Sequence, residues 1–333
     1  MDLLDPKASP NGTYVSTGAL PPVEQVRALV AEAHERFATV GQGQVSQVYP
    51  ALARVDPALF GICVVDATGG IVSVGQAGHE FTIMSVSKPF VFALVCDLIG
   101  ATGARERLGV NATGYAFNSA IGIERSPDGR SNPMVNAGAI ATTSLAPGNN
   151  IDERWRFLHE GLSRFAGRTL SVNEEVYRSA SETNFRNRSL AWMLQGFGRL
   201  YCDPVEAVDL YTRQCSLDVS AKDLAVMGAT LAHGGFNPVT REQVVKPEVC
   251  HYALAVMLTA GLYETSGDWL YEIGLPGKSG IGGGIVTVSP GKGGLGTFSP
   301  LLDTAGNSVR GQLVAGFLSD RLGLSLFASK PEA

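Results

Sequence analysis

The sequence predicts a mixed α/β fold with one antiparallel sheet, built from strands at both ends of the chain, and a helical lobe built from its middle. Two apolar segments, at 60–66 and 71–75, predict a β-hairpin near the start. Between 151 and 260 the apolar residues recur at helical spacing instead. Short strands are predicted again after the glycine-dense segment 275–284. This switch from strands to helices and back again indicates that the two ends of the chain share a sheet.

The chain begins with a segment that we expect to be a flexible leader. Residues 1–20 are polar and rich in Gly, Pro and Ser, a composition typical of loose termini. Pro21 and Pro22 then introduce a predicted helix, because proline is favoured in a first helical turn. Its apolar residues stand at helical spacing: Val26, Leu29, Val30, Ala33 and Phe37.

Later elements are predicted by the same patterns. The recognisable helices of the middle region lie at about 152–166, 186–200, 218–233 and 241–261. Residues 101–150 are expected to be rich in loops, and 179–187 form a compact polar segment. The last strands are predicted at 285–289, near 293–300 and near 310–318.

These elements predict a single catalytic domain over 21–330. Its sheet lobe takes about 21–85 and 270–330, and its helical lobe takes about 86–269. We find no internal repeat that would indicate another architecture.

Composition excludes several classes of protein. The net charge of −5, the pI near 5.6 and the lack of a clustered basic run argue against a nucleic-acid-binding protein. The start of the chain lacks the basic and apolar regions of a signal peptide, and we expect no apolar run long enough to span a bilayer. The five cysteines, odd in number and without CxxC spacing, favour reduced thiols. We therefore expect a cytoplasmic protein with no membrane partner.

The motif most informative about function is Ser85-x-x-Lys88. It follows an apolar strand and a turn and leads into an apolar run, so a strand, a turn and a helix are predicted around it. Residues three apart share one helix face, and a lysine amine with a lowered pKa can take the proton of a serine hydroxyl. Backbone N–H groups at a helix N-terminus can also hold an oxyanion. This is the arrangement of penicillin-interacting serine enzymes.

The motif alone leaves two interpretations open. Ser85 and Lys88 could equally be a helix N-cap and a solvated lysine. Ser289 and Lys292 have the same spacing, but they lie in a Pro-Gly turn with no helix after it, and we exclude that pair.

A second motif favours the catalytic interpretation. Lys278-Ser-Gly280 resembles the Lys-Ser/Thr-Gly motif that accompanies Ser-x-x-Lys in the same superfamily. Glycines beside a strand let a substrate approach the backbone, whose N–H groups can bind an oxyanion. The alternative is a plain glycine-rich turn. Together the two motifs favour a serine hydrolase.

Beyond these motifs, the chain resembles the serine-dependent glutaminases, a family with the β-lactamase/transpeptidase-like fold. The resemblance covers about residues 25–328. Its segments are Phe81-Thr-Ile-Met-Ser-Val-Ser-Lys88, Asn132-Pro-Met-Val-Asn-Ala-Gly-Ala-Ile140, Arg186-Asn-Arg188, Tyr211-Thr-Arg-Gln-Cys-Ser216, Gly261-Leu-Tyr-Glu-Thr-Ser-Gly267 and Gly274-Leu-Pro-Gly-Lys-Ser-Gly280. Chance agreement of so many ordered segments is implausible.

The resemblance implies hydrolysis of L-glutamine to L-glutamate and ammonia without a metal or cofactor. Ser85 matches the nucleophile that forms a glutamyl ester, and Lys88 matches the residue that activates it. Tyr263 matches a site tyrosine and is a candidate to relay a proton near Lys88. The backbone N–H groups of Ser85 and Ile281 match the oxyanion hole. The resemblance also implies a homodimer or homotetramer, between which the sequence does not decide.

Further residues match the part of the site that binds the substrate. Asn136 and Asn187 match residues that bind the amino-acid end of glutamine, and Tyr211 matches a second site tyrosine. Each also has a structural interpretation. The asparagines could be cap or turn residues, and Tyr211 and Tyr263 could be packing residues with satisfied hydroxyls.

The chain departs from the family at two places. Ala180 stands where the family has a glutamate that pairs with the α-ammonium of the substrate, and Glu182 lies two positions away. Losing a hydrogen bond to a charged group costs about 1.5–3 kcal/mol. Our hypothesis is that Ala180 is an engineered substitution, or that this protein is a paralogue whose recognition of the substrate's amino group is weakened or altered. In the loop before the hairpin, Val48 takes the position of a family tyrosine, and Tyr49 follows it.

Other functions stay open at this point. A β-lactamase or transpeptidase would share Ser85, Lys88 and the Lys278 motif, although such enzymes are normally exported. A catalytically weak amino-acid-binding paralogue is the non-enzymatic alternative, which Ala180 favours. The sequence has no HExxH motif and no GxSxG elbow, so we set aside zinc hydrolases and α/β-hydrolases.

Overall fold

The structure is a computed structural model that describes residues 18–327 of the chain. Most of the predicted leader, residues 1–17, lies outside the described residues. The strands are β1 Gly61–Asp66, β2 Ile71–Gly75, β3 Phe81–Thr82, β4 Ser171–Val172, β5 Leu217–Val219, β6 Phe236–Asn237, β7 Glu242–Gln243, β8 Gly277–Ser279, β9 Gly284–Ser289 and β10 Gly293–Phe298. The α-helices are α1 Val23–Phe37, α2 Pro50–Ala53, α3 Ser87–Leu108, α4 Ile121–Glu124, α5 Asn136–Ser144, α6 Ile151–Ala166, α7 Glu174–Thr183, α8 Phe185–Gly196, α9 Pro204–Cys215, α10 Ala221–Ala232, α11 Pro247–Ala260, α12 Ser266–Ile273 and α13 Val309–Arg321.

The main sheet joins the two ends of the chain. Its strand order is β2-β1-β10-β9-β8, and every neighbouring pair is antiparallel. The predicted hairpin β1–β2 therefore forms one edge, and β1 pairs directly with β10, more than 200 residues later, with Cys63 opposite Gly296. The predicted mixed α/β class and the sheet shared by both ends are confirmed. The limits of the two lobes stay a prediction.

Both faces of this sheet are covered by helices. On β1, Ile62 and Val64 pack in the core that also contains residues of α1 and α13, whereas Cys63 and Val65 pack in the core on the side of α10. Successive side chains of a strand point to opposite faces. A strand buried on both faces has a continuous apolar sequence, and that is why 60–66 does not alternate between apolar and polar residues.

Helix α10 is the central helix of the larger core. Ser220 caps its N-terminus: its hydroxyl accepts from the backbone N–H of Asp223, and the Asp223 carboxylate accepts from the backbone N–H of Ser220. The helix lies directly on β10, and a Cβ atom built on Gly296 would lie 2.0 Å from the carbonyl oxygen of Ala221. The glycines of β10 therefore permit backbone-to-backbone packing of helix on strand.

The prediction of a strand near 310–318 was wrong, because this segment is helix α13. Its apolar residues Val314, Ala315 and Leu318 are buried along one face, at helical spacing. The Ser308 hydroxyl accepts from the backbone N–H of Gly311, which caps the helix. A short apolar run after a turn is compatible with either element, and only the serine cap distinguishes the helix in the sequence.

Two further predictions need adjustment in the middle of the chain, and a helix there was missed. The helix predicted over 241–261 begins only at Pro247, because 242–243 forms β7, and proline stands at the first helical position. The predicted loop-rich region from 101 includes the end of α3, which continues to Leu108. Helix α9 was not predicted, although Asp203 caps it by accepting from two backbone N–H groups.

One segment of the described chain, Met84–Leu108, has the length and apolarity of a membrane-spanning helix. The expectation that no apolar run reaches that length was therefore wrong. Of the apolar window, 72% is buried inside the protein, as expected of a core helix.

We predict that Gly296→Ala destabilises the protein by about 1–3 kcal/mol, because the added methyl group would meet the backbone of α10. Urea unfolding should show a lower midpoint with an unchanged m-value. Gly196→Ala is the matched control, since no atom lies within 4 Å of its added Cβ in α8, and alanine is favoured in helices. Equal midpoints for the two variants would contradict the packing argument.

Candidate active site

Ser85 lies on a 3₁₀ turn, Met84–Val86, between β3 and α3. The predicted sequence of strand, turn and helix around it is confirmed. Met84 has a φ of 47°, a left-handed conformation that is uncommon for a residue other than glycine. The backbone N–H of Ile83 donates to the carbonyl of Leu217 at 2.8 Å and ties the turn to β5. This constrained backbone places the hydroxyl of Ser85 at the start of the core helix.

The amine of Lys88 is buried in the first turn of α3, with 1% of the residue exposed. Its Nζ donates to Oδ1 of Asn136 at 2.7 Å and lies about 6 Å from the rings of Phe117 and Tyr211. Burial lowers the pKa of Lys88 to about 8, because desolvation disfavours the charged amine. The structure thus excludes the interpretation of Lys88 as a solvated lysine.

Asn136 links Lys88 to the other predicted polar residues. Its Oδ1 accepts from Lys88 and also from the hydroxyl of Tyr211 at 3.2 Å. Its Nδ2 donates to Oδ1 of Asn187 at 3.0 Å. These bonds fix both ends of the amide, so the orientation of the group that contacts Lys88 is set by residues on α8 and α9.

Tyr263 approaches Ser85 from the other side. It lies on a 3₁₀ turn, Tyr263–Thr265, and its φ of 56° is also left-handed. Its hydroxyl donates to the carbonyl of Ser279 at 3.2 Å. Burial raises the pKa of Tyr263 above its ordinary value, and the nearby side chain of Ser85 opposes this shift. The hydroxyl therefore stays protonated and lies within reach of Ser85.

Lys278 is the second buried lysine of the site. It stands on strand β8, so the interpretation of the Lys-Ser-Gly motif as a plain turn is wrong. Its Nζ donates at 2.8 Å to the carbonyls of Gly261 and Ser279 and lies 4.3 Å from the centre of the Tyr263 ring. Burial, and then the proximity of Lys88, lower the pKa of Lys278 well below its ordinary value. These contacts hold the ring of Tyr263 against the end of β8.

The chain after β8 passes close to the turn that carries Ser85. A Cβ atom on Gly280 would lie 3.3 Å from the backbone nitrogen of Ser85 and 3.0 Å from the carbonyl oxygen of Ile83. Glycine permits this approach. It places the backbone of Ile281, the next residue, beside the same cavity as Ser85.

One cavity gathers most of the residues that the sequence predicted. Its described lining consists of Val48, Tyr49, Met84, Ser85, Phe117, Asn118, Asn136, Ala180, Thr183, Asn184, Arg186, Asn187, Tyr211, Thr212, Cys215, Ser216 and Ile281. Tyr263 and Lys88 do not line it but contact lining residues. The predicted site residues therefore lie together around a single cavity.

The two departures from the family also face this cavity. Ala180, in the last turn of α7, is buried and lines the wall, whereas Glu182 is exposed and does not. Glu182 therefore does not replace the carboxylate that Ala180 lacks. Val48 and Tyr49 both line the cavity, and burial raises the pKa of Tyr49 to about 12.

Sequence reasoning missed several lining residues. Phe117 comes from a loop between α3 and α4, and its ring lies 4.6 Å from that of Tyr263. Cys215 ends α9, one turn after Tyr211, and burial raises the pKa of its thiol. Cys215 belongs to a segment of the family resemblance, but no motif in the sequence indicates Phe117.

The cavity is poor in charge. Arg186 is the one charged side chain in the described lining, and Lys88 lies behind Asn136. Within 18–327 no group of three or more His, Cys, Asp or Glu side chains is placed to hold a metal ion. The expectation of a reaction without metal or cofactor stays a prediction.

Comparison with known proteins gives the same family at every level. The family model described as Glutaminase matches residues 43–327. The chain is 71% identical over 318 residues to Glutaminase 2 of Yersinia pestis, covering 96% of this chain and 94% of the relative. It is 46% identical to a glutaminase of Mycobacterium ulcerans, over 91% of this chain and 95% of the relative.

Solved structures agree with the sequence comparisons. The probable glutaminase ybaS superposes with a TM-score of 0.91 at 41% identity, over 93% of this chain and all of that one. The crystal structure of Mglu in its glutamate form gives a TM-score of 0.87 at 39% identity, over 92% of this chain and 71% of that one. With the family model, these likenesses show that the chain belongs to the glutaminase family, of β-lactamase-like fold.

Proposed function

We propose that this protein hydrolyses L-glutamine to L-glutamate and ammonia by acyl transfer through Ser85. The observation that carries the proposal is the buried amine of Lys88, one helical turn from Ser85, with a pKa of about 8. A neutral amine in that position can accept the proton of a serine hydroxyl near neutral pH. The names of the relatives supply the substrate.

In the first step, Oγ of Ser85 attacks the side-chain amide carbon of glutamine. Lys88 takes the hydroxyl proton as the new C–O bond forms, and it then donates a proton to the leaving nitrogen. The C–N bond breaks, ammonia leaves and a glutamyl ester remains on Ser85. Tyr263, whose hydroxyl donates to the carbonyl of Ser279, is proposed to relay the proton near Lys88, as the family resemblance implies.

The backbone N–H groups of Ser85 and Ile281 stabilise the tetrahedral intermediate. The close approach of Gly280 to the Ser85 nitrogen brings these two segments together, as an oxyanion hole requires. Fixed donors are effective here because they do not have to reorient during the reaction. Met84, the residue before Ser85, has the left-handed conformation that helps to set the direction of the Ser85 backbone.

In the second step, water attacks the ester carbon while Lys88 accepts one of its protons. The C–O bond to Ser85 breaks, Lys88 returns the proton to Oγ, and L-glutamate leaves. Asn136, Asn187 and Tyr211 form one hydrogen-bonded wall of the cavity and are proposed to bind the amino-acid end of the substrate.

Cellular location and assembly belong to the proposal as well. A reducing compartment such as the cytoplasm agrees with the five cysteines, which are all free thiols in the structure. We further propose a homodimer or homotetramer, on the basis of the family resemblance.

Ser85→Ala should reduce ammonia release from L-glutamine by at least about a thousandfold, since removing a catalytic nucleophile abolishes acyl transfer. Ser289→Ala is the matched control, because Ser289 has the same spacing to a lysine but lies outside the cavity. It should keep wild-type activity. Equal losses in the two variants would contradict the assignment, and hydrolysis of nitrocefin in place of glutamine would favour the β-lactamase alternative.

The pH dependence of kcat/KM should report Lys88. Activity should rise with pH through about 8, because only the neutral amine can act as a base. Asn136→Asp puts a negative charge next to the amine, which raises its pKa and moves the rise to higher pH by about one unit or more. Asn136→Ala removes the acceptor that favours the ammonium and should move the rise to lower pH. The substrate titrates in the same way in assays of the wild type and of both variants, so it cannot cause a difference between them. If both variants move the rise of kcat/KM in the same direction, or if neither moves it, the role of Lys88 is contradicted.

A further inference from the structure

The charge of the cavity wall bears on which amides the enzyme prefers. Among the seventeen lining residues, all within the described part of the chain, none is Asp or Glu. The nearest acidic residue in sequence to Ala180, Glu182, is exposed and outside the lining. Glu264 follows Tyr263 but is also outside the lining, and its carboxylate accepts from the backbone N–H of Phe117. The wall therefore offers no carboxylate to a bound cation.

A substrate ammonium would be poorly accommodated in such a cavity. A charge that leaves water needs a partner of opposite charge, and an unpaired one opposes binding. The charged side chain in the lining is the cation Arg186, and the buried Lys88 and Lys278 stand behind the wall.

A substrate carboxylate meets the opposite situation. Arg186 is held by donation from its Nε to the carbonyl of Asn118 at 2.8 Å, which leaves its terminal guanidinium nitrogens as potential donors. The side-chain amides of Asn184 and Asn187 line the same wall. Guanidinium and amide groups are suited to bind a carboxylate.

We propose that the preferred substrates are primary ω-amides of short carboxylic acids that carry no free α-ammonium group. This inference rests on the proposed function, since the same Ser85 chemistry converts such an amide and water to the dicarboxylate and ammonia. L-Glutamine is then a poorer substrate of the same site, because its ammonium finds no partner there.

The test compares ammonia release from L-glutamine and from its desamino analogue, 4-carbamoylbutanoate, at one pH, with Ser85→Ala as the blank. The two substrates share the amide, the chain length and the carboxylate and differ only in the α-ammonium. We expect kcat/KM to be higher for the analogue by about tenfold or more, the factor associated with one lost hydrogen bond to a charged group.

A charge swap at Ala180 makes the test specific. Ala180→Glu places a carboxylate on the wall and should reverse the preference towards L-glutamine. Ala180→Gln adds similar volume without the charge, and it should leave the preference with the desamino analogue. If Ala180→Glu does not fold, the preference of the wild-type protein still decides the proposal.

The outcomes separate the inference from the function on which it rests. A wild-type preference for L-glutamine of tenfold or more would overturn the inference and leave the glutaminase proposal standing. A Gln variant that reverses the preference as fully as the Glu variant would also overturn it, because volume would then explain the change. Failure to release ammonia from either substrate would overturn the proposed function, and the inference with it.

Discussion

An amine held in a dry environment is the feature on which the whole site depends. Lys88 is almost completely buried, and its contacts include two aromatic rings and one amide oxygen, with no carboxylate among its hydrogen-bond partners. A paired carboxylate would stabilise the ammonium and raise its pKa, whereas desolvation lowers it to about 8. The neutral oxygen of Asn136 positions the amine without holding its proton strongly. The network from Lys88 through Asn136 to Asn187 therefore connects the base to the wall of the cavity.

The fold supplies the rigidity that such a site requires. Ser85 follows β3 and opens α3, a helix buried in the larger core, and the end of β8 lies against its turn through Gly280. Strand β8 belongs to the sheet that joins the two ends of the chain. The nucleophile and the oxyanion-hole segment thus come from regions almost 200 residues apart. Because β3 belongs to a separate three-stranded sheet, the close approach of Gly280 to the Ser85 turn, and not strand pairing, brings them together. Left-handed residues at Met84 and Tyr263 are held in place by this surrounding structure.

Much of this could be predicted from the sequence, because the chemistry is concentrated in short local patterns. Ser85 and Lys88 stand one helical turn apart, so their elements follow from spacing, whereas strand β8, which carries Lys278, was not predicted. The contacts that tune Lys88 are different. Asn136, Tyr211 and Phe117 come from three separate segments, and no local pattern shows that they meet. The family resemblance indicated the first two but not Phe117.

The errors in the prediction of the fold have a similar origin. The segment near 310–318 is short and apolar, and tertiary packing against α1 and the sheet selects a helix there. The burial of Lys88 is also a tertiary property. In the sequence this residue could have been solvated, and only the packing of α3 shows that it is not.

The most direct test of this account is the pKa of Lys88 itself. The chain has seven lysines, so lysine labelled with ¹³C at the ε-carbon gives a small set of NMR signals to follow with pH. Lys88→Arg identifies the signal that belongs to Lys88. The account predicts a midpoint near 8 for that signal, and a midpoint at the ordinary value of 10.5 would contradict it.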